Sequence, residues 1–353
     1  MFKDEANVIS VIFLLYYLFC CHVDIHKKYR DIVLFISCCI LFVIVGCRSM
    51  EWPDTTIYAD SFKYTPTISG YSVSDTPFGY GEVGFYFLAS LIRTFTSNCT
   101  LYFIVISGIT FIFLYKSLRR YSIYPLVGLC VYIARFLLSR NMMQIRAALA
   151  IAVIVYALRY VAERNFKKYF IYVAIGSLLH YSILSALPFY WFNKIPFSRK
   201  TVFMMTVGSF VVAAMSSSLI HNMIGKYSIM LDIATSYTVD SSAYSIGKGL
   251  VNPMIYFQTF ILLVYTFLER KLKCIVPLYE TVRNGYLYST IILILLSSFN
   301  VLSGRISTIF STMEMFMIPE FFVAFRPKVK LLVSLGIGVM IAGFFYLNLM
   351  KWE

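Results

Sequence analysis

The sequence predicts an all-α polytopic membrane protein, because long apolar stretches alternate with short basic clusters along the chain. Hydrophobic residues make up 59% of the 353 residues, whereas soluble domains contain about 45–50%. Stretches of about 15–22 residues carry few or no charges, a length that crosses a bilayer core as a helix. Backbone groups in lipid must form hydrogen bonds within their own segment, which favours helices over open strands.

Ten apolar stretches have the length of a full crossing, and two more are short or interrupted. Residues 82–97 form the short one, and residues 168–192 contain His180 and Pro188. Such segments in polytopic proteins tend to line a binding cavity. We therefore predict a single transmembrane domain, 1–353, with about ten full transmembrane helices plus two short or re-entrant segments. The ten stretches lie at about 7–22, 31–47, 100–118, 122–139, 142–162, 201–219, 250–268, 285–303, 306–324 and 329–349.

Basic clusters between the apolar stretches indicate which loops face the cytoplasm. Six clusters lie at residues 27–30, 116–120, 159–168, 194–200, 270–283 and 326–330. The net charge of +14 therefore reflects membrane orientation, and nothing else in the sequence points to nucleic acid. This pattern predicts both termini outside and two periplasmic loops, at residues 48–81 and 220–249.

The two predicted periplasmic loops combine tyrosines with aspartates. Aromatic rings beside carboxylates suit the binding of sugars. The alternative is an aromatic belt at the membrane interface, which is the more common role for a single tyrosine. The loop residues are Tyr58, Tyr64, Tyr71, Tyr80, Asp54, Asp60 and Asp75 in the first loop, and Tyr227, Tyr237, Tyr244, Asp232 and Asp240 in the second.

Four arginines lie where predicted helices meet the outer face, a side that the positive-inside tendency disfavours. The planar guanidinium group suits bidentate recognition of phosphate better than a lysine does. We interpret the four as a site for a phosphate or pyrophosphate, and snorkelling to lipid headgroups is the alternative. They are Arg48, Arg140, Arg146 and Arg305.

One further arginine, Arg135, lies inside a predicted span. A charge within the membrane is a functional hypothesis by default. The sequence leaves a second interpretation equally open, in which Arg135 pairs with Glu163, Glu314 or another buried acid.

Glu82 and His180 are the candidate catalytic residues. Glu82 opens the short segment among glycines that allow tight turns, although a carboxylate also stabilises a helix N-terminus by itself. His180 lies where residues 168–192 must break if the crossing count is right. An imidazole with a pKa of about 6.5 can serve as a general base toward a hydroxyl, whereas a satisfied core histidine is the structural alternative.

Metal and cofactor chemistry is not predicted. The eight cysteines contain no C-x-x-C or other metal-ligand spacing. Phosphate-binding loops, dinucleotide fingerprints and hydrolase triads are likewise missing from the sequence. Arginine would then take the place of a metal in any phosphate site.

These motifs, in this order, resemble the Wzy-type O-antigen and exopolysaccharide polymerases of the EpsG subgroup. The resemblance covers most of residues 45–320. Two positions depart from the family pattern. Val83 stands where the family has a proline, and Ala147 stands where it has a glutamine, whose role Gln144 could take. The matching residues are Arg48, Asp54, Tyr58, Tyr80-Gly81-Glu82-Val83-Gly84-Phe85, Arg146-Ala147-Ala148-Leu149-Ala150, His180, Gly304-Arg305-Ile306-Ser307, Phe310 and Ile318-Pro319.

The resemblance implies an inverting, metal-independent membrane glycosyltransferase with a GT-C-like fold in the bacterial inner membrane. It would transfer a growing glycan from undecaprenyl pyrophosphate to the non-reducing-end sugar of another lipid-linked repeat unit, at the periplasmic face. A chain-length regulator is an expected partner besides membrane lipid. In the implied site His180 and Glu82 are catalytic, the four arginines bind pyrophosphate, and the glycan contacts Asp54, Tyr58, Tyr80 and Gln144.

Two other functions fit parts of the pattern. An O-antigen ligase would use the same donor and a similar arginine cluster with a different acceptor. A flippase or transporter for lipid-linked sugars would have charged residues through the full membrane depth and an internal repeat. The sequence shows neither of these two features.

Overall fold

Helices form the main elements of the structure, a computed structural model that describes residues 2–73, 82–228, 248–325 and 327–351. This agrees with the predicted all-α class. In chain order the helices are α1 Phe2–His26, α2 Arg30–Gly46, α3 Thr55–Tyr64, α4 Val83–Phe95, α5 Cys99–Tyr121, α6 Pro125–Tyr132, α7 Ile145–Ala162, α8 Phe166–Leu179, α9 Phe189–Phe192, α10 Arg199–Ser228, α11 Pro253–Phe267, α12 Glu269–Leu272, α13 Tyr279–Leu295, α14 Asn300–Ser311, α15 Glu314–Ala324 and α16 Pro327–Met350.

Four helices among the described residues are long and apolar enough to cross a membrane, or five if one pair separated by a short break counts as a single span. The protein is thus a multi-pass membrane protein, and the count of about ten crossings stays a prediction. Several predicted spans form two shorter helices in the structure. The sequence did not reveal these breaks, because apolar residues continue through them. The four are Glu5–His26, Cys99–Tyr121, Ile145–Ala162 and Val329–Met350.

The two segments predicted to be short or broken are so in the structure. Helix α4 has 13 residues, about 20 Å of helix against a bilayer core of about 30 Å. Residues 168–192 contain most of α8, a 3₁₀ helix over Tyr181–Ala186, and α9. Whether either segment crosses the membrane stays a prediction.

The predicted periplasmic loops are only partly described. Residues 48–73 contain α3 and a 3₁₀ turn over Ile68–Gly70, so that the first loop carries its own helix. In the second, α10 continues to Ser228, and residues 229–247 lie outside the described residues. Their periplasmic location stays a prediction.

The helices group into two compact units, and the single transmembrane domain over 1–353 stays a prediction. The first unit contains Met1–Leu187, Ile275–Leu278 and Glu314–Glu353. Helix α7 lies at its centre and is buried on nearly all sides, as a helix that is apolar all round should be. By contrast, α1 and α16 present exposed apolar side chains such as Leu15 and Leu332, the kind of surface that lipid covers.

A buried ion pair crosses the first unit and decides between the interpretations of Arg135. Helix α6 continues as a π-helix over Ile133–Asn141, a rare form often found at functional sites. Within it, the Arg135 Nε donates to Glu314 Oε2 at 2.7 Å, and Nη2 donates to Oε1 at 3.4 Å. Glu314 is fully buried. Arg135 therefore pairs with Glu314, as one of the two interpretations expected.

The second unit contains Pro188–Cys274 and Tyr279–Met313 and holds its own buried polar network. Arg283, which the sequence grouped with loop charges, is buried there. Its Nη1 donates to Glu269 Oε1 at 3.2 Å, and its Nη2 donates to the Phe197 carbonyl at 2.8 Å. The Asn284 amide continues the network to Asn193 at 2.9 Å. This arginine therefore connects α13 to α12 and to the segment that precedes α10.

Removal of the Glu314 carboxylate should destabilise the protein, because the charge of Arg135 would stay buried without its bidentate partner. We expect Glu314→Ala to cost about 3–5 kcal/mol and to lower the unfolding temperature of the protein in detergent. A double variant with methionine at both positions should recover most of the loss, since apolar residues replace such pairs well.

Glu163→Ala is the matched control, because Glu163 faces Arg120 at 3.9 Å on the surface and such pairs contribute little. If Glu314→Ala and Glu163→Ala unfolded at the same temperature, the buried pair would have no stabilising role.

Candidate active site

His180 lies at a break between two helical segments of the first unit. Helix α8 ends at Leu179, His180 is extended with φ −160° and ψ 120°, and the 3₁₀ helix follows at once. The His180 N–H still donates to the Gly176 carbonyl at 2.8 Å, so the break costs no backbone donor at this residue. The sequence predicted a break at this histidine, and the structure has it there.

The side chain of His180 contacts the other predicted catalytic residue, Glu82. The imidazole Nδ1 lies 2.7 Å from Glu82 Oε1, and both side chains are buried. An ionised carboxylate only accepts hydrogen bonds, so Nδ1 is the donor and the neutral imidazole keeps its lone pair on Nε2. A carboxylate on one ring nitrogen fixes the tautomer and leaves the other nitrogen able to accept a proton.

Arg146 binds the second oxygen of the same carboxylate. It is the second residue of α7, and its Nη1 donates to Glu82 Oε2 at 2.5 Å. Its Nε donates to the Tyr58 hydroxyl at 3.3 Å. The Arg146 side chain stays 24% exposed, and among the described residues Nη2 has no hydrogen-bond partner. The guanidinium is therefore held on one side and can donate to an anionic oxygen on the other.

Electrostatics keeps Glu82 ionised. Burial raises the pKa of the Glu82 carboxyl, but the hydrogen bond from His180 and the positive charge of Arg146 outweigh burial and hold this pKa below its ordinary value. A buried carboxylate between two cationic or donor groups is stabilised in its charged form. These side chains thus form one connected group of four, which we call the Glu82 cluster: Glu82, His180, Arg146 and Tyr58, whose hydroxyl supports Arg146.

Gly84 lets α4 come close enough to α8 for this contact. A Cβ at position 84 would lie 2.6 Å from the Cβ of Leu178 and 2.7 Å from its carbonyl oxygen. Only glycine fits such a close approach. The sequence suggested glycines here for a tight turn, whereas the structure shows that Gly84 allows two helices to touch. Close packing at Gly84 is what brings Glu82 to His180.

The side chains predicted to bind glycan differ in how deeply they are buried. Tyr58 is buried on α3 and contacts Arg146, so its hydroxyl supports the arginine, a role that the sequence did not indicate. Asp54, directly before α3, and Gln144, directly before α7, are exposed. Tyr80 lies outside the described residues. Glycan binding by these four side chains stays a prediction.

Two of the other predicted pyrophosphate ligands, Arg48 and Arg140, belong to the first unit and lie outside the Glu82 cluster. Arg48 is buried, and its Nη1 donates to two backbone carbonyls, those of Asn141 and Met142. Arg140 is buried on the π-helix, with its guanidinium carbon 3.9 Å from the centre of the Phe136 ring. Arg305 is partly buried on α14 of the second unit. A pyrophosphate role for these three arginines stays a prediction.

Within the described part of the chain, no three His, Cys, Asp or Glu side chains are grouped so that they could bind a metal ion. The Glu82 cluster contains only one carboxylate and one imidazole. Its chemistry is that of a base, an orienting carboxylate and a cation. The expectation that no metal or cofactor takes part stays a prediction.

Comparison with known proteins gives one finding. A sequence model described as the EpsG family matches residues 31–352, a range that contains every member of the Glu82 cluster. No curated protein and no solved structure matches the chain at a significant level.

Gly84→Ala should destabilise the protein, because the added methyl group would push α4 away from the Leu178 backbone. We expect a cost of about 1–3 kcal/mol, typical of overpacking, visible as a lower unfolding temperature in detergent. Gly208→Ala is the control, since nothing lies within 4 Å of a Cβ there, and alanine favours a helix. Equal unfolding temperatures for the two variants would contradict the close approach.

The stabilisation by ionised Glu82 should disappear in acid. The pKa of this carboxyl is lowered in the folded protein, so its contribution is complete above the ordinary value of about 4.5 and is lost as the pH falls through the lower folded value. We expect the unfolding temperature of the wild type to exceed that of Glu82→Gln near pH 7 and to approach it below pH 4.5. A difference that grew in acid would have the wrong sign.

Proposed function

Because the chain belongs to the EpsG family, we propose that it is a membrane-embedded polysaccharide polymerase that lengthens a lipid-linked glycan. The donor is a glycan on a lipid pyrophosphate, undecaprenyl pyrophosphate, and the acceptor is the non-reducing-end sugar of another lipid-linked repeat unit. The observation that carries this proposal is the Glu82 carboxylate, which contacts His180 with one oxygen and Arg146 with the other. A base and a cation are thereby held side by side.

His180 is the proposed general base. Its Nε2 accepts the proton of the acceptor hydroxyl while that oxygen bonds to the anomeric carbon of the donor glycan. Glu82 stabilises the imidazolium that forms, through the 2.7 Å hydrogen bond to Nδ1. A positioned base of this kind contributes about 10²–10⁴-fold to a rate. Attack from the face opposite the leaving group inverts the anomeric configuration.

Arg146 is the proposed ligand of the leaving group. The bond between the anomeric carbon and the pyrophosphate oxygen breaks, and its electron pair leaves with the lipid pyrophosphate. The free Nη2 face of Arg146 donates to the negative charge that develops there, which lowers the barrier without a metal ion. The hydrogen bonds to Glu82 and Tyr58 hold the Arg146 side chain in one rotamer throughout the transfer.

The remaining features of the proposal concern the surroundings of the cluster. Asp54 is exposed and lies one helical turn before Tyr58, and Gln144 is exposed and lies just before Arg146. This proximity to the cluster supports their assignment to the glycan. We place the cluster at the periplasmic face of the bacterial inner membrane, in a GT-C-like fold with about ten crossings. A chain-length regulator is the proposed protein partner.

Substitutions in the cluster should separate chemistry from folding. With purified protein and a lipid-linked repeat unit, we expect the wild type to give a ladder of products on a gel without an ion gradient. His180→Ala should lower the rate at least about 100-fold, and Glu82→Gln should lower it as well because Nδ1 loses a charged acceptor. Arg146→Lys should also be impaired, since lysine lacks the planar fork.

Two exposed positions provide matched controls. His22→Ala and Arg120→Lys change the same residue types on the surface and should leave the ladder intact. A full ladder from His180→Ala would exclude the proposed base. Transfer of single glycans to a different acceptor, with no ladder from the wild type, would favour a ligase, and gradient-dependent movement of the lipid without extension would favour a transporter.

A further inference from the structure

We propose that Arg48 is a positioning residue, which holds the turn in front of α7 so that Arg146 faces Glu82, and that it does not itself bind the lipid pyrophosphate. This inference rests on the proposed function, because it assigns a part of the same site. It departs from the expectation, drawn from the sequence, that Arg48 is one of four pyrophosphate ligands.

The contacts of Arg48 point inward. Its side chain follows the end of α2 and is only 8% exposed. The Nη1 atom lies 2.8 Å from the Asn141 carbonyl oxygen and 2.8 Å from that of Met142. The guanidinium carbon lies 4.5 Å from the centre of the Phe103 ring on α5, a typical cation–π contact. The Nε and Nη2 atoms of Arg48 have no hydrogen-bond partner among the described residues, but both are buried, so neither is accessible to a lipid pyrophosphate in this structure.

The two carbonyls bonded by Arg48 belong to a critical turn. Asn141 ends the π-helix and α7 begins at Ile145, so three residues, 142–144, form the turn between the two helices. Carbonyls at the end of a helix lack intrahelical partners and need other donors. Arg48 supplies a charged donor to both, and hydrogen bonds to charged groups are among the stronger ones in proteins.

The turn is also fixed from its other side. The Asn141 Oδ1 accepts a hydrogen bond from the Tyr132 hydroxyl at 2.6 Å, which ties the turn to α6. Arg146 follows two residues after the turn, at the first turn of α7. Because its Nη1 must reach Glu82 Oε2 and its Nε must reach Tyr58, a small rotation at the start of α7 would break both contacts. Misplacement by about 1 Å can cost about 100-fold in rate.

Kinetics can distinguish a positioning residue from a ligand. Initial rates of purified enzyme, measured against the concentration of lipid-linked donor, give kcat and KM for each variant. We expect Arg48→Ala to lower kcat at least about tenfold with the donor KM changed less than about threefold. Arg48→Lys should recover part of kcat, because an ammonium group can still donate to both carbonyls.

Arg93→Ala is the matched control. Arg93 also stacks on an aromatic ring, that of Phe62 at 5.6 Å, and donates to a backbone carbonyl, that of Lys63. Among the described residues Arg93 has no contact with the turn, so the kcat and KM of Arg93→Ala should stay at wild-type values. A donor KM raised at least about tenfold in Arg48→Lys, with kcat retained, would make Arg48 a ligand and overturn the proposal.

A second measurement is independent of activity. Hydrogen–deuterium exchange of the purified protein should become at least about tenfold faster in the peptide that contains residues 143–150 when Arg48 is changed to alanine, should rise less in Arg48→Lys, and should not change in Arg93→Ala. Unchanged exchange of this peptide in Arg48→Ala would refute the proposal that Arg48 holds the turn. An inactive wild type would refute the proposed polymerase instead, while the exchange experiment would still decide the role of Arg48.

Discussion

The carboxylate of Glu82 is the interaction on which the candidate site depends. A charge buried this deeply is stable only if its partners satisfy it. One oxygen of Glu82 bonds to His180 and to the Tyr181 N–H, and the other bonds to Arg146. Glu82, His180 and Arg146 lie on different helices or helix ends, so one ion determines how those elements meet. The same carboxylate also fixes the tautomer of the imidazole and the direction of the guanidinium, as the proposed chemistry would require.

Several features of the fold follow from this constraint. Helix α8 must end where His180 is, α4 must begin beside Glu82, and Gly84 must be small for the two helices to touch. Helix α7 must begin where Arg146 can reach the carboxylate. The candidate site residues therefore lie at helix ends, where local backbone geometry directs the side chains.

Buried charges elsewhere in the chain show what distinguishes a site from a structural pair. The Arg135–Glu314 pair and the network of Arg283 with Glu269 are buried, and their contacts join helices within one unit. Arg146 differs because its side chain is partly exposed and its Nη2 has no hydrogen-bond partner among the described residues. A charge in a membrane protein is thus a functional candidate only when some of its hydrogen-bonding capacity remains for a ligand.

The helical membrane class, the family, the break at His180 and the candidate residues Glu82, His180 and Arg146 can be predicted from the sequence, because apolar length, loop charge and short motifs are local properties. How the helices pack decides that Arg146 contacts Glu82, that position 84 must be glycine, and that Tyr58 supports Arg146. Glu82 is 98 residues from His180 and 64 from Arg146 in sequence. Local patterns report how each segment is buried, but contacts between distant segments depend on how helices pack, which no local pattern encodes.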